Sequence, residues 1–550
     1  MNKIGSYKKL FLLYGMVFIF TIFFLRNILL KGVMFSNTDD GRLNMLILEH
    51  WYRVLRLGEP VSNLPIFYPE KGTIFYTDLL IGFAPIYIIA RVIGADIYAA
   101  YKFTLVFLHF IGGFSFAYLL NHVLKYSVLG TLTGTVISMF SSAMAVSSHT
   151  QMMAIYFIPI IIIYFIKYIQ NKTKKRFTYG VLLTGIIACL AYTSFYIFYF
   201  LAIIVFVYFI VIGILEIKAK NKKYFLLCFQ RKKEILCFAI LEVLLLVPFI
   251  IGYGKVAIEY GGREWDEVFL MLPSFSDLFN VSAGNLIYGE MFSTEYYGLR
   301  EYAWELYFGI PFGVWFLFLV SAIIIIKLYR KDSSKNKEIY ALLGTSIIVC
   351  LLVLKWDHIS LWYIIYKFLP AASAIRGVAR IFMVLLIPIA IIVAHVITYM
   401  ELKKEYNQII FLVILLVVWS ENIRKEGICA YWETGEIKAY IESVPVPPED
   451  CKVFFISQGD SNHGRKEVIG LTDIFSNESA DYQLDAWQIA NQYNLVTING
   501  YSGQAPIGWK LDNPRYDYYN KAVNRWLEIN NLENIYVYDI TTKTWSLWEN

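Results

Sequence analysis

Charged residues are scarce in this chain. Asp, Glu, Lys and Arg make up 17% of its 550 residues, too few for an ordinary water-soluble protein, in which about a quarter are charged. Cysteine is rarer still, six in all. No CxxC pair and no Cys/His spacing that closes a zinc tetrahedron occurs, which sets aside structural zinc and thiol chemistry. A GxxxxGK[ST] turn is missing, as is a GxGxxG between a strand and a helix, so nothing points to a nucleotide-binding loop. There is no internal repeat and no low-complexity segment.

What the chain has in excess is apolar side chains, 58% of the total with a mean hydropathy of +0.53, the composition of a polytopic membrane protein. The formal charge of +6 comes from Lys and Arg gathered in short clusters between apolar runs, as in cytoplasmic loops, and nucleic acid is not expected as a partner. Runs long enough to cross the hydrocarbon layer lie near residues 10–30, 97–120, 127–146, 151–168, 177–192, 195–215, 234–253, 306–326, 338–355, 378–400 and 407–422, about eleven spans. The first is too long for a signal-peptide core and ends in no small-residue cleavage site, so it is expected to stay as a signal anchor. The run 79–94 carries Pro85 and Arg91 and is expected to be an amphipathic helix on the outer membrane surface. Only then do the clusters at Lys3, Lys8 and Lys9, at Lys125, at Lys167 to Arg176, at Lys218 to Lys233, at Lys327 to Lys337 and at Lys403 and Lys404 share one side. The expected protein is a multi-pass plasma (inner) membrane protein with a cytoplasmic N-terminus and an extracytoplasmic C-terminus.

Two parts follow, an all-α transmembrane domain over 1–423 with external loops at 31–96 and 254–304, and a small extracytoplasmic α/β domain over 424–550. In the second, strand-like runs at 453–457 and 535–540 and a helical pattern at 518–529 are separated by turn signals at Asn499-Gly500 and Asn513-Pro514. Cys429 and Cys451 lie in this domain either as a disulfide or as two buried thiols.

Loop 31–96 opens with Phe35-Ser36-Asn37-Thr38-Asp39-Asp40-Gly41-Arg42. Adjacent carboxylates repel, which is expected to raise the pKa of one and suit it to accept a proton or hold a divalent cation. Equally, Asp40 ahead of a helical stretch at 43–57 is a natural N-cap. Further on come Gly58-Glu59-Pro60, then Tyr68-Pro69-Glu70-Lys71-Gly72 and the surface run 79–94. This order resembles the first external loop of the GT-C glycosyltransferases, multi-span enzymes that use sugars carried on polyprenyl phosphate or pyrophosphate. The resemblance implies a GT-C-like fold, an inverting transfer from a polyprenyl-phosphate sugar donor to a surface glycan or glycolipid acceptor, membrane lipid as surroundings, and Asp40 or Asp39 as the catalytic carboxylate, with Lys71 among the substrate contacts.

The segment Leu369-Pro370-Ala371-Ala372-Ser373-Ala374-Ile375-Arg376-Gly377-Val378-Ala379-Arg380-Ile381-Phe382 is similar to a motif of related transferases that contacts the lipid phosphate, and its Pro, Ser-x-x-Arg and Arg spacing also resembles YfhO-type bacterial membrane proteins. It implies donor-phosphate binding by Arg376 and Arg380, taken as one face of a helix. An interfacial Arg can hold phosphate in two hydrogen bonds while its stem stays in the apolar layer; a snorkelling Arg at a helix end has the same composition. Ser147-Ser148-His149-Thr150-Gln151 stands where metal-using GT-C enzymes carry a further acid, and this chain has none there. No metal ligand and no cofactor is therefore assigned, a divalent cation is left open, and His149 and Gln151 are expected to bind substrate. Tyr196, at the next outer turn, is expected to line the same cavity. Arg263-Glu264-Trp265-Asp266-Glu267 and Glu301-Tyr302-Ala303-Trp304-Glu305 mix acids with Trp as sugar-facing surfaces do, with Glu305 the expected contact. Glu242 falls in mid-span, where a carboxylate is costly. A lipid-linked glycan flippase or transporter and a glycan polymerase or ligase are the alternatives to the transferase.

Overall fold

The computed structural model describes all residues except 1–2, 32, 36–37, 147–148, 221–222, 295–296, 298–299, 301, 404–406, 426–429, 458–467, 470–477, 515 and 550. Among the described residues nine helical segments are long and apolar enough to cross a membrane: Ile97–Val123, Val128–Ala145, Thr150–Gln170, Lys175–Thr193, Phe195–Lys218, Lys232–Tyr260, Phe312–Lys331, Ser333–Val353 and Val378–Lys403. The N-terminal helix Lys3–Phe24 and the shorter apolar helix Gln408–Glu421 stand beside them. Such a set fits a multi-pass membrane protein.

Burial separates the centre of the bundle from its edge. In Val378–Lys403 94% of the apolar window is buried, whereas in Lys232–Tyr260 none is. Two glycines let the central helix meet its neighbour. A Cβ on Gly130 would stand 2.8 Å from the Ala394 carbonyl oxygen and one on Gly134 3.2 Å from that of Ala390, so small residues bring the backbones together as they do in membrane bundles. The peripheral helix contains Pro248. Beside it the Tyr192 hydroxyl donates to Leu245 O at 2.8 Å and accepts from Phe249 N at 3.1 Å. A side chain has thus entered one rung of the helical ladder and ties the outer helix to Lys175–Thr193.

Boundaries set by proline and glycine depart from the apolar runs. The span expected to start at 306 starts at Phe312, with Pro311 before its first turn. Residues 306–311 turn instead to the preceding loop, where Gly309 N donates to Asn280 O and Ile310 N to Leu278 O, because Pro311 supplies no N–H with which to continue a helix backwards. The run 79–94 is helical only over Ala84–Val92, with Pro85 in its first turn. At nine residues it is too short to cross a bilayer. It buries Tyr87 and Ala90 and leaves Ile89, Val92 and Ile93 exposed.

The C-terminal part contains a small mixed sheet in the order Val496–Thr497, Val453–Ser457, Tyr536–Asp539, Thr544–Leu547, parallel at the first two pairings and antiparallel at the last. Helices Glu478–Tyr493 and Tyr519–Ile529 accompany it. Cys451 is a buried free thiol; Cys429 lies outside the described residues. This part is stitched to the segment 31–96. Val33–Phe35 pairs antiparallel with Ala430–Glu433. Arg42, fully buried, reaches Asp481 at 3.1 Å and Asp485 at 2.6 Å and also donates to Gln488. Arg53 donates to Asn491 O and Asn494 Oδ1.

Candidate active site

Four polar residues stand where helices begin, at one end of the bundle. His149 precedes the 3-10 turn Thr150–Phe157, and Tyr196 opens Phe195–Lys218. Glu305 lies in the turn Ala303–Leu306 ahead of Phe312–Lys331, and Arg380 ends the turn Val378–Arg380 that leads into Ile381–Lys403. A fifth, Asp40, comes from the helix Thr38–Leu57. That helix starts five residues earlier than the expected stretch at 43–57, so Asp39 and Asp40 both sit inside its first turn, where the positive end of the helix dipole favours acids. Asp40 is therefore not the N-cap, and its carboxylate turns to His149.

These residues form a chain of contacts. Asp40 Oδ2 lies 2.7 Å from His149 Nδ1. On the other side of the ring Arg380 Nη2 points at His149 Nε2 at 2.7 Å. Because a guanidinium only donates, Nε2 accepts and the imidazole proton resides on Nδ1, facing Asp40. Arg380 also grips Glu305 with two hydrogen bonds, Nε to Oε2 at 2.8 Å and Nη2 to Oε1, and its guanidinium lies over the Tyr196 ring. The Arg380 and Glu305 side chains are only 7% and 4% exposed.

Arg376 is placed differently from its neighbour. The two arginines do not share a helical face, because Ile375 to Gly377 lie outside any helix and Val378–Arg380 is a 3-10 turn. Arg376 is 42% exposed and bonds Glu267 Oε1 at 3.0 Å, while its backbone N–H donates to the Tyr196 hydroxyl. Arg263 Nη1 stands 3.8 Å from the same Glu267 oxygen. One carboxylate oxygen thus lies between two partly open guanidinium groups, an arrangement an anionic oxygen of a ligand can enter by exchange with Glu267. Of the other sequence-derived residues, Gln151 accepts a hydrogen bond from Asn44 at 3.1 Å, and Lys71 is exposed on the turn after Pro69. Glu242 is half-buried on the peripheral helix.

At Asp40 the electrostatics run against the repulsion within the acidic pair. Burial pushes the Asp40 carboxyl up, but His149, by the hydrogen bond it donates, with Arg380 and Arg376 beyond it, holds it below the usual carboxylate range. Mutual repulsion of Asp39 and Asp40 does not prevail at Asp40, because three cationic or proton-donating groups face it. Burial likewise acts upward on Glu305, and Arg380 and His149 outweigh it, so this carboxyl also lies low.

Asp78 behaves in the opposite way and carried no motif to reveal it. Its carboxylate accepts from Phe195 N at 3.0 Å, at the start of the helix that holds Tyr196. Burial pushes it up to about 6 against the opposing effects of that N–H, Arg380 and His149. Below about pH 4 it is protonated in the folded and unfolded chain alike. As pH rises through 6 the unfolded chain ionises first and folding stability is lost, about 2 to 3 kcal/mol for a shift of about two units. Asp78→Asn keeps an acceptor oxygen for Phe195 N–H and is therefore expected to raise the thermal midpoint at pH 7.5 while matching the parent at about pH 3. Equal midpoints at pH 7.5 contradict the assignment.

Among the described residues no group of three or more His, Cys, Asp or Glu is placed to hold a metal ion. No protein-family model matches the chain, and no curated protein matches it.

Proposed function

We propose that the protein is an integral membrane glycosyltransferase of the GT-C type, moving a sugar from a polyprenyl-phosphate donor to a surface glycan or lipid acceptor on the extracytoplasmic side, with inversion. The observation that carries this reading is the meeting of Asp40 with the Arg376 and Arg380 segment, from distant parts of the sequence, through His149. Helix direction supports the sidedness. The segments that begin near the site run to basic ends at Lys167, Lys218, Arg330 with Lys331, and Lys403, which is the pattern of a cytoplasmic face opposite the site. With about eleven spans and Ala84–Val92 lying on the outer surface, the N-terminus is cytoplasmic and the C-terminal domain external. The exposed Ile89, Val92 and Ile93 suit that helix to the interface.

In the proposed reaction Asp40, ionised at neutral pH, takes the proton of an acceptor hydroxyl. That oxygen attacks the anomeric carbon as the bond to the donor phosphate breaks, and the electron pair leaves with the polyprenyl phosphate. Arg376, with Arg263 beside it, neutralises the departing phosphate. Arg380, committed to Glu305 and His149, acts by orienting His149 and so Asp40. Asp39, buried next to Asp40, contributes to the negative field.

Reconstitution in liposomes with labelled polyprenyl-phosphate hexoses tests the proposal. Wild-type protein is expected to transfer label to a glycolipid acceptor, and Arg376→Gln to weaken donor binding by about 10- to 100-fold, the value of a charge-assisted hydrogen bond. Movement of the labelled lipid across the bilayer without transfer would instead support a carrier. Growth of a polymer from the acceptor end would support a polymerase.

A further inference from the structure

At the end of the bundle opposite Asp40, three helices gather aromatic rings around one cation. The span Thr150–Gln170 follows His149 and carries Lys167 near its far end. Lys175–Thr193 turns back from there with Tyr179 in its second turn. Ile97–Tyr118, whose Tyr101 hydroxyl meets Thr150 at the Asp40 end, finishes beside them with Tyr118. The Lys167 ammonium lies 5.6 Å from the centre of the Tyr164 ring and 5.8 Å from the centres of Tyr118 and Tyr179. Tyr164 and Tyr179 also meet each other, with ring centres 6.1 Å apart.

Local structure explains the gathering. Tyr164 and Lys167 stand three residues apart on one helix and so share a face. Ile97–Tyr118 runs on into a π-helical turn, Leu119–Val123, a widening often found at functional positions. His122 in that turn stacks on Tyr118 at 4.9 Å and 12° and steadies the ring.

What the cage lacks is an acceptor. Ring faces attract a cation but supply no oxygen to its three N–H groups. Among the described residues Lys167 makes no ion pair and no side-chain hydrogen bond, and the hydroxyls of Tyr118, Tyr164 and Tyr179 bond no protein group. Glu234, which reaches this end of Thr150–Gln170 through Tyr168, is held by two nitrogens of Arg176. Lys125, Lys172, Lys174 and Lys175 on the adjoining turns are exposed and add positive charge without a matching acid. A snorkelling lysine reaches past its neighbours into water, whereas Lys167 is half-buried among the rings.

We propose that this cage binds the phosphate of an anionic phospholipid from the leaflet opposite the candidate active site. Lys167 pairs with the phosphate oxygens, the phenols donate to them, and the surrounding lysines favour a headgroup of net negative charge. Val181 and Leu182, exposed just beyond Tyr179 on the same helix, give the acyl chains a path into the hydrocarbon layer. The site is separate from Asp40 and stands whichever chemistry takes place there.

The test titrates full-length protein in detergent micelles with dioleoyl phosphatidylglycerol, dioleoyl phosphatidylcholine and soluble glycerol phosphate, and reads bound molecules by native mass spectrometry. Wild type is expected to bind one phosphatidylglycerol at least about tenfold more tightly than either of the others. Lys167→Gln is expected to lose about 10- to 100-fold, the value of a charge-assisted hydrogen bond. Lys174→Gln, which removes the same charge outside the cage, is expected to lose less than about fivefold. Tyr164→Phe with Tyr179→Phe keeps the packing, is expected to lose about fivefold, and provides a check that does not depend on the folding of Lys167→Gln. Phosphatidylglycerol binding by Lys167→Gln or by the double phenylalanine variant equal to wild type overturns the proposal. So does equal affinity of wild type for the two phospholipids, and glycerol phosphate binding as tight as phosphatidylglycerol reassigns the site to a soluble anion and overturns the lipid. Because no readout involves sugar transfer, failure of the transferase reading leaves these outcomes unchanged.

Discussion

Asp40→Asn is expected to reduce sugar transfer by about two to four orders of magnitude, the usual contribution of a positioned general base. The substitution removes the charge and the basic lone pair but keeps the size of the side chain and an oxygen able to accept from His149 Nδ1–H. Arg380 retains both bonds to Glu305, so the supporting frame stays intact. The loss should therefore fall on kcat, with polyprenyl phosphate binding and thermal midpoint near those of the parent. Because His149 and the arginines keep the Asp40 carboxyl below the usual range, the wild-type acid limb attributable to this group lies below the ordinary carboxylate range. Transfer by Asp40→Asn within about threefold of wild type contradicts the assignment.

The second large effect concerns stability. Glu305→Ala leaves the Arg380 guanidinium buried beside His149 with its principal counter-charge removed. Breaking a buried pair from one side typically costs about 3 to 5 kcal/mol, more than the net value of the pair, because the remaining charge is stranded. The expected result is a marked fall in the thermal midpoint of the detergent-solubilised protein. Replacing both partners, as Glu305→Leu with Arg380→Met, is expected to recover much of that loss while leaving transfer impaired, since His149 loses the donor that fixes its tautomer. A single variant as stable as the parent, or a double variant less stable than Glu305→Ala, contradicts the role given to the pair.

Much of the scaffold was legible because a membrane imposes a length: apolar runs near twenty residues reappear as the long helices. The breaks were less legible. Pro311 displaces one start to Phe312, and Thr150–Phe157 winds as a 3-10 turn before Ile158–Gln170, neither of which alters overall hydropathy. For the site, Asp39, Asp40, His149, Tyr196, Glu305, Arg376 and Arg380 all drew attention as polar residues at the ends of apolar runs, and the fold gathers them. Their individual relations did not follow. A spacing of four suggests one helical face, yet the turn at Gly377 sends Arg380 inward to Glu305 and Arg376 outward to Glu267.

Other omissions reflect distance along the chain. Arg42 reads as part of an acidic-pair motif, whereas its partners Asp481 and Asp485 lie more than four hundred residues away. Asp78 resembles any acid in a turn until burial and the Phe195 N–H are known. Gly500 and Gly503 read as turn residues, whereas Phe67 and the Tyr76 carbonyl leave no room for a side chain at either. Nothing in local periodicity encodes such pairings, which arise from the tail folding back over the segment 31–96.

Mass spectrometry of envelope glycans from cells lacking the protein, and from the same cells supplied with wild-type or Asp40→Asn protein, tests the central proposal most directly. The expected result is one sugar branch missing without the protein, restored by wild type, and still missing with Asp40→Asn, on an otherwise intact glycan. Full restoration by Asp40→Asn, or disappearance of the entire glycan in its absence, would contradict a transferase built around this carboxylate.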